Sequence, residues 1–208
     1  MQTAESRRRI LLAGMEVFAE KGFAGASIRD IVGKIGCSVN AVSIHFGSKE
    51  ELAKAVVLEL KRTIVMPAPP RAGEILSDYA WRVAVKQFVR QVVGIFLATD
   101  EPNCHFAALY RHESANLHGK KVTLYGEIVK PIQRQLEDLV ALGVPEHDPV
   151  TVRLWTLFLW NNVLAYALKH PDVLADDLPQ GADLQLFRET TVDFMVDKCI
   201  GELHFGAV

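Results

Sequence analysis

The sequence predicts an all-α protein, and three observations carry that prediction. Apolar residues recur at helical spacing through most of the 208 residues, and no segment alternates in the manner of a strand. Between Ser27 and Leu52, serine caps and glycine stops mark off two short helices with a third following at once. From Pro149 onward a long helix is apolar on nearly every face, a pattern that demands burial on all sides.

The elements follow in order. The charged start, Met1 to Arg9, leads into an amphipathic helix that carries Glu16 and Glu20. Ser27 is placed to cap the next helix with Asp30 three residues on, and Ile28, Ile31, Val32 and Ile35 keep helical spacing until Gly36 ends the run. Ser38 is placed to cap a second short helix in which Val42 and Phe46 face inward. Val39, Asn40, Ala41 and Ser43 then lie on or near its outer face. Two short helices joined by a glycine turn form a helix-turn-helix, which makes DNA the first partner to consider. Ser48-Lys49-Glu50-Glu51 reads as a capping box for a helix running to about Thr63. Pro67, Pro69 and Pro70 stop that helix and mark a linker. Beyond it the spacing predicts helices at about 73–98, 103–114, 120–142, 149–170 and 182–204.

The residues Ile10-Leu11-Leu12-Ala13-Gly14-Met15-Glu16-Val17-Phe18-Ala19-Glu20-Lys21-Gly22-Phe23, followed by Ser27, Asp30-Ile31, Gly36, Ser38 and Phe46-Gly47-Ser48-Lys49-Glu50, resemble the N-terminal domain of the TetR family of transcriptional regulators. The resemblance implies a DNA-binding domain over residues 1–48, and a connecting helix with an effector-binding and dimerisation domain over 49–208. It implies that Lys49 touches the DNA backbone, with His45 beside it. The expected contact set is Ser27, Arg29, Ser38, Val39, Asn40, Ala41, Ser43, His45 and Lys49. Asn40 has the donor and acceptor pair that reads adenine, and Val39 and Ala41 suit a thymine methyl group. The chain departs from the family where a tyrosine is usual: Ser43 stands in its place, and Ile44 stands where the subgroup with asparagine has it. Gly14 also replaces the favoured alanine, at roughly 1 kcal/mol of helix propensity.

Charge, cysteines and missing motifs narrow the function class. The net charge is −2, but through Arg62 ten basic residues face seven acidic ones, while the remainder holds 13 basic and 18 acidic. A mildly basic segment on an acidic body suits a protein presenting one end to phosphates. Cys37, Cys104 and Cys199 are odd in number and widely spaced, which argues for reduced thiols and a cytoplasmic location, and against zinc. No 18-residue apolar run offers a membrane span. There is no P-loop, dinucleotide fingerprint, Gly-x-Ser-x-Gly or His-Glu-x-x-His, so no enzyme, catalytic residue or cofactor is expected. His105, His112 and His118 lie seven and six residues apart, and no metal site is expected from them.

The helix from Pro149, started by Asp148, is expected to pack one side on its own domain and the other on a second copy, with the last helix as companion. The expected homodimer interface is Trp155, Leu159, Trp160, Val163, Phe187, Phe194 and Met195. An effector pocket is expected from Phe106, Tyr110, His112, Glu113, Tyr125, Phe158 and Asn162. Tyr110-Arg111-His112-Glu113, Lys130-Pro131 and Leu139-Val140-Ala141-Leu142-Gly143 resemble the CecR-type C-terminal domain within the same family.

The sequence therefore predicts a homodimeric repressor of a palindromic double-stranded operator, released when a small apolar or amphipathic molecule binds. The competing expectation is a dimeric small-molecule-binding or protein-interaction module without sequence-specific DNA binding.

Overall fold

The computed structural model describes residues 2–64, 68–70, 74–75, 77–101, 103–115, 124–168, 178 and 180–201. The predicted fold class holds: among the described residues there are helices and turns and no strand. The helices are α1 (Gln2–Gly25), α2 (Ile28–Ile35), α3 (Val39–Phe46), α4 (Lys49–Thr63), α5 (Asp78–Leu97), α6 (Asn103–Ala115), α7 (Lys130–Gly143), α8 (Pro149–Ala167) and α9 (Leu184–Ile200). A π-helical turn, Tyr125–Val129, precedes α7. Its cause is local. Pro131 has no N–H to offer the carbonyl of Glu127, so the four-residue ladder cannot pass through this point. The expected helix at 120–142 thus becomes a π-turn and α7, with 116–123 outside the described residues, as are Pro67, His118 and the ends expected at 169–170 and 202–204. α5 starts later than expected because Ser77 caps it, its hydroxyl accepting from the Ala80 N–H at 3.1 Å.

The chain divides into two compact units, residues 1–65 with 98–129, and residues 66–97 with 130–208. This departs from the boundary expected at residue 48, because α1 packs against α2, α4 and also along α6. Gly22 permits that packing. Its φ of 71° and ψ of 165° break α1, and a β-carbon there would sit 3.2 Å from the β-carbon of His112 on α6. In the first unit Phe18, Ile31, Val42, Leu52, Leu60, Phe106 and Ile128 are fully buried. Gly14 has a reason too: a β-carbon would come within 3.2 Å of Leu52 on α4. The helix propensity that glycine forgoes goes with close approach of the two helices.

In the second unit α5, α7, α8 and α9 pack around Trp81, Phe88, Phe96, Leu136, Leu159 and Trp160. Ion pairs set the register. Lys86 meets Asp197 at 2.8 Å, Arg90 meets Asp193 at 2.7 Å, and Arg82 donates to the terminal carbonyl of Ile200 at 3.1 Å, so α5 and α9 run antiparallel. Arg153 grips both oxygens of Glu137 at 2.9 and 3.1 Å and does the same for α7 and α8. Pairs this exposed contribute little stability each, and their value is alignment. α8 begins as its sequence requires, with Asp148 accepting from Val150 and Thr151 and Pro149 in the first turn.

Candidate functional site

The helix-turn-helix is built by local capping. Ser27 accepts from the Asp30 N–H while Asp30 accepts from the Ser27 N–H at 2.8 Å, a closed box that fixes the start of α2. Gly36, at φ 67° and ψ 36°, ends α2 in the left-handed conformation that glycine adopts without strain. Ser38 occupies the N-cap position of α3, but its side chain makes no capping bond. The expected cap is absent and its hydroxyl stays on an exposed residue. Ser48 accepts from the Glu51 N–H at 3.2 Å, while the Glu51 carboxylate turns to Lys54 at 2.6 Å instead of closing the expected box.

α3 turns Val42 into the core and leaves Val39, Asn40 and Ser43 exposed, with Ala41 and His45 half-buried. Sequence reasoning missed one residue on this face. Ile44 is 77% exposed, the most open of the large side chains on α3. The signal was present, since Ile44 lies two positions from buried Val42 and so on the other side of the helix. A second omission is Arg7, whose guanidinium sits 4.7 Å over the Phe46 ring at the end of α3. This places a cation at the C-terminal end of α3, on a Phe46 ring that is half-buried and not turned fully inward as expected. Arg29 is exposed on α2.

Other basic residues of this unit are engaged internally. Lys34 pairs with Glu16 and Glu20 at 2.7 and 2.9 Å, Lys21 with Asp30 at 2.6 Å, and Arg9 donates to the Ile35 carbonyl at 3.0 Å. The Ser27 hydroxyl, expected as a contact, is occupied by its own capping box and donates to Asp30 at 2.6 Å. Lys49 needs the largest revision. Its ammonium donates to the carbonyls of Phe23 and Ala26, both at 2.7 Å, and ties the start of α4 to the broken end of α1. Two of its three N–H donors are thereby used inside the protein, because the kink at Gly22 leaves those carbonyls without a helix to close on. Lys49→Ala is accordingly expected to lower stability by about 1–3 kcal/mol through two orphaned carbonyls. Thermal melting checks this, and an unchanged midpoint would return Lys49 to a purely phosphate-facing role.

The expected pocket residues fall in both units. Phe106, Tyr110, His112, Glu113 and Tyr125 belong to the first; Phe158 and Asn162 belong to the second. Phe158 is 61% exposed, and the Asn162 amide is satisfied locally by the Phe158 carbonyl at 2.8 Å. Neither is gathered into a buried site of its own unit.

In the first unit the chemistry converges. Phe106 and Tyr110 stack with ring centroids 6.0 Å apart, and both are buried. Glu113 accepts from the Leu124 N–H at 2.9 Å through Oε2, while Oε1 is buried without a hydrogen-bond partner. Burial pushes this carboxyl up to about 7, against the weaker opposing pull of the Leu124 and Tyr125 N–H groups. Burial, with the nearby Tyr125 phenol and Glu113, also pushes Tyr110 up to about 12.

A carboxyl raised on folding costs no stability below its unfolded value of 4.5 and its full penalty above about 7. Glu113→Gln is therefore expected to melt higher than the parent at pH 8, with the gap closing near pH 4. Equal melting at both pH values would show that the Glu113 carboxyl is not held protonated by burial. Asp30 acts in the opposite sense. Its hydrogen bonds from Lys21 and Ser27 hold it far below the usual range, so its contribution is lost as pH falls.

The expected dimer residues divide by exposure. Leu159, Trp160 and Val163 are buried within their own unit at 0, 2 and 1% exposure, Trp155, Phe187 and Met195 are half-buried, and Phe194 is 62% exposed. Three of the four residues expected from α8 are thus core residues. Its open apolar face is Val150, Leu154 and Phe158, four residues apart, with Leu186 and Phe194 exposed on α9.

This arrangement of helices has known relatives. Residues 10–56 match the family described as bacterial regulatory proteins, tetR family. The HTH-type transcriptional regulator SrpR of Pseudomonas putida is 32% identical over 147 residues, which cover 68% of this chain and 64% of SrpR. The chain thus spans less than two thirds of that relative. The HTH-type transcriptional dual regulator CecR of Shigella flexneri is 22% identical over 178 residues, 82% of this chain and 79% of CecR. A TetR transcriptional regulator from Agrobacterium tumefaciens has the same fold, with a TM-score of 0.67 at 13% identity over 95% of this chain and 93% of that one.

Among the described residues no helix is long and apolar enough to cross a membrane.

Proposed function

We propose, for a chain whose residues 10–56 match the family of bacterial regulatory proteins described as tetR family, that it is a ligand-responsive transcriptional repressor acting as a cytoplasmic homodimer on a palindromic operator. The single observation that carries the reading is α3: an eight-residue helix held from behind by Val42 that turns Val39, Asn40, Ser43 and Ile44 outward. Its short polar and branched apolar side chains suit the floor of a major groove, where Asn40 pairs with adenine and Val39 and Ile44 meet thymine methyl groups. Arg7, Arg29 and His45 stand around it to meet phosphates.

The second copy covers the apolar face of α8 and α9. Val150, Leu154, Phe158, Leu186 and Phe194 are apolar side chains that a lone subunit leaves in water, and a two-fold partner presenting the same side chains buries both sets at once. A symmetric dimer then matches a palindrome whose half-sites lie roughly 34 Å apart. The effector acts by preferring the form in which α4 holds the recognition helices at another spacing. No residue is assigned a catalytic role.

Asn40→Ala tests the reading. It is expected to cost about 1–3 kcal/mol on the operator while leaving binding to random DNA nearly unchanged. Fluorescence anisotropy on both DNAs across a salt series measures it. Equal losses on the two would remove Asn40 from base recognition.

A further inference from the structure

We propose that the effector is a protonated amine on an apolar body, whose N–H donates to Glu113 Oε1 while its carbon frame lies against Tyr110 and Phe106. This rests on the reading of the chain as a ligand-responsive regulator and names the chemical class of its ligand.

The two oxygens of Glu113 are unequally satisfied. Glu113 sits on α6, and Oε2 is held by the Leu124 N–H at 2.9 Å at the entrance to the π-turn. The other oxygen is buried with no donor. A buried carboxylate oxygen without a partner forfeits the hydrogen bonds of water, and proteins leave such atoms orphaned rarely and usually where something else supplies the donor. Burial also raises the carboxyl toward neutral pH, so in the absence of a partner a proton competes for the site.

Four ligand chemistries can be ranked against this oxygen. A carboxylate is repelled and brings no donor. An alcohol brings a donor but leaves the charge of Glu113 uncompensated in a desolvated place. A quaternary ammonium brings the charge but no N–H. A protonated amine alone brings both, and charge-assisted hydrogen bonds are about twice as strong as neutral ones. The surroundings agree. Tyr110 is buried, stacks with Phe106 at 6.0 Å and lies three residues before Glu113 on α6, a spacing that sets ring and carboxylate on one side of the helix. Aromatic faces attract cations as well as apolar carbon.

The site also connects to the helix that carries the DNA-binding end. The Leu124 and Tyr125 N–H groups point at Glu113 from the start of the π-turn. The same turn carries Glu127, which pairs with Lys61 near the end of α4 at 3.1 Å. An amine that draws Glu113 toward itself competes with the Leu124 N–H, and the turn it releases is the one that holds α4.

Calorimetric titration with one matched series tests the assignment: 4-phenylbutylamine, its N,N,N-trimethyl derivative, 4-phenylbutanol and 4-phenylbutyrate, each against the full chain and its Glu113→Gln variant at pH 8. The amine is expected to bind the parent at least about tenfold more tightly than the alcohol, with the trimethyl compound between them and the butyrate weakest. In Glu113→Gln, which keeps an acceptor for the Leu124 N–H, the amine should fall to the level of the alcohol. Amine and alcohol of equal affinity for the parent would overturn the amine assignment while leaving a ligand-responsive regulator in place, and so would an unchanged preference in the variant. The parent series needs no mutant, so the contrast between amine and alcohol decides the matter even where the variant fails to fold. Failure of all four to bind at millimolar concentration would overturn this inference and the effector site together.

Discussion

Phe158→Glu is expected to give a folded monomer that has lost tight operator binding, and Trp160→Glu a chain that does not fold. The two positions are neighbours on α8, yet Phe158 is 61% exposed and Trp160 is 2% exposed. A glutamate at 158 faces water in the subunit and an apolar partner in the dimer. Separation avoids burying an unpaired charge, which costs several kcal/mol. A glutamate at 160 has no such escape, because its surroundings are the subunit's own core. The monomer should lose affinity for the operator because its half-sites are no longer engaged together. Sedimentation velocity with circular dichroism separates the two outcomes. A Phe158→Glu protein that remained dimeric would place the two-fold surface elsewhere.

Gly143→Ala should destabilise the second unit by roughly 2–6 kcal/mol, the sum of two effects. Gly143 closes α7 against Trp81, and a β-carbon there would lie 1.9 Å from the indole ring. Trp81 is fully buried and its Nε1 donates to the Leu139 carbonyl at 2.9 Å, so the ring cannot retreat without breaking that bond. Overpacking of about 1–3 kcal/mol and an orphaned buried N–H of about 1–3 kcal/mol then add. Urea unfolding measures the loss. An unchanged midpoint would mean that the helices part more easily than their packing indicates.

What the sequence made legible was whatever local chemistry decides. Ser27 with Asp30, Gly36, and Asp148 with Pro149 fix helix ends through residues within a few positions of one another, and all appear where the spacing requires. The face of an element is a different matter. α8 is apolar nearly all round, so no periodicity distinguishes Trp160, which is buried, from Phe158, which is not. Only the neighbours on α5, α7 and α9 decide it. Lys49 and Glu113 are similar cases. Lys49 meets carbonyls 23 and 26 residues away, which are exposed for capping because Gly22 breaks α1. Glu113 meets an N–H eleven residues on, at a π-turn formed beside Pro131. Ile44 is different, because helical spacing alone sets it opposite Val42 and leaves an open apolar side chain on the outer face of α3.

The central claim, sequence-specific DNA binding through α3, is tested most directly by competition. A labelled fragment from upstream of the chain's own gene is bound by the full-length protein at physiological salt and challenged with unlabelled specific and random duplexes. The account predicts that the specific duplex competes at least about 10³-fold more effectively than random DNA, and that Asn40→Ala narrows that ratio. Specific and random duplexes competing equally would contradict it, and would leave a dimeric binding module whose helix-turn-helix reads no sequence.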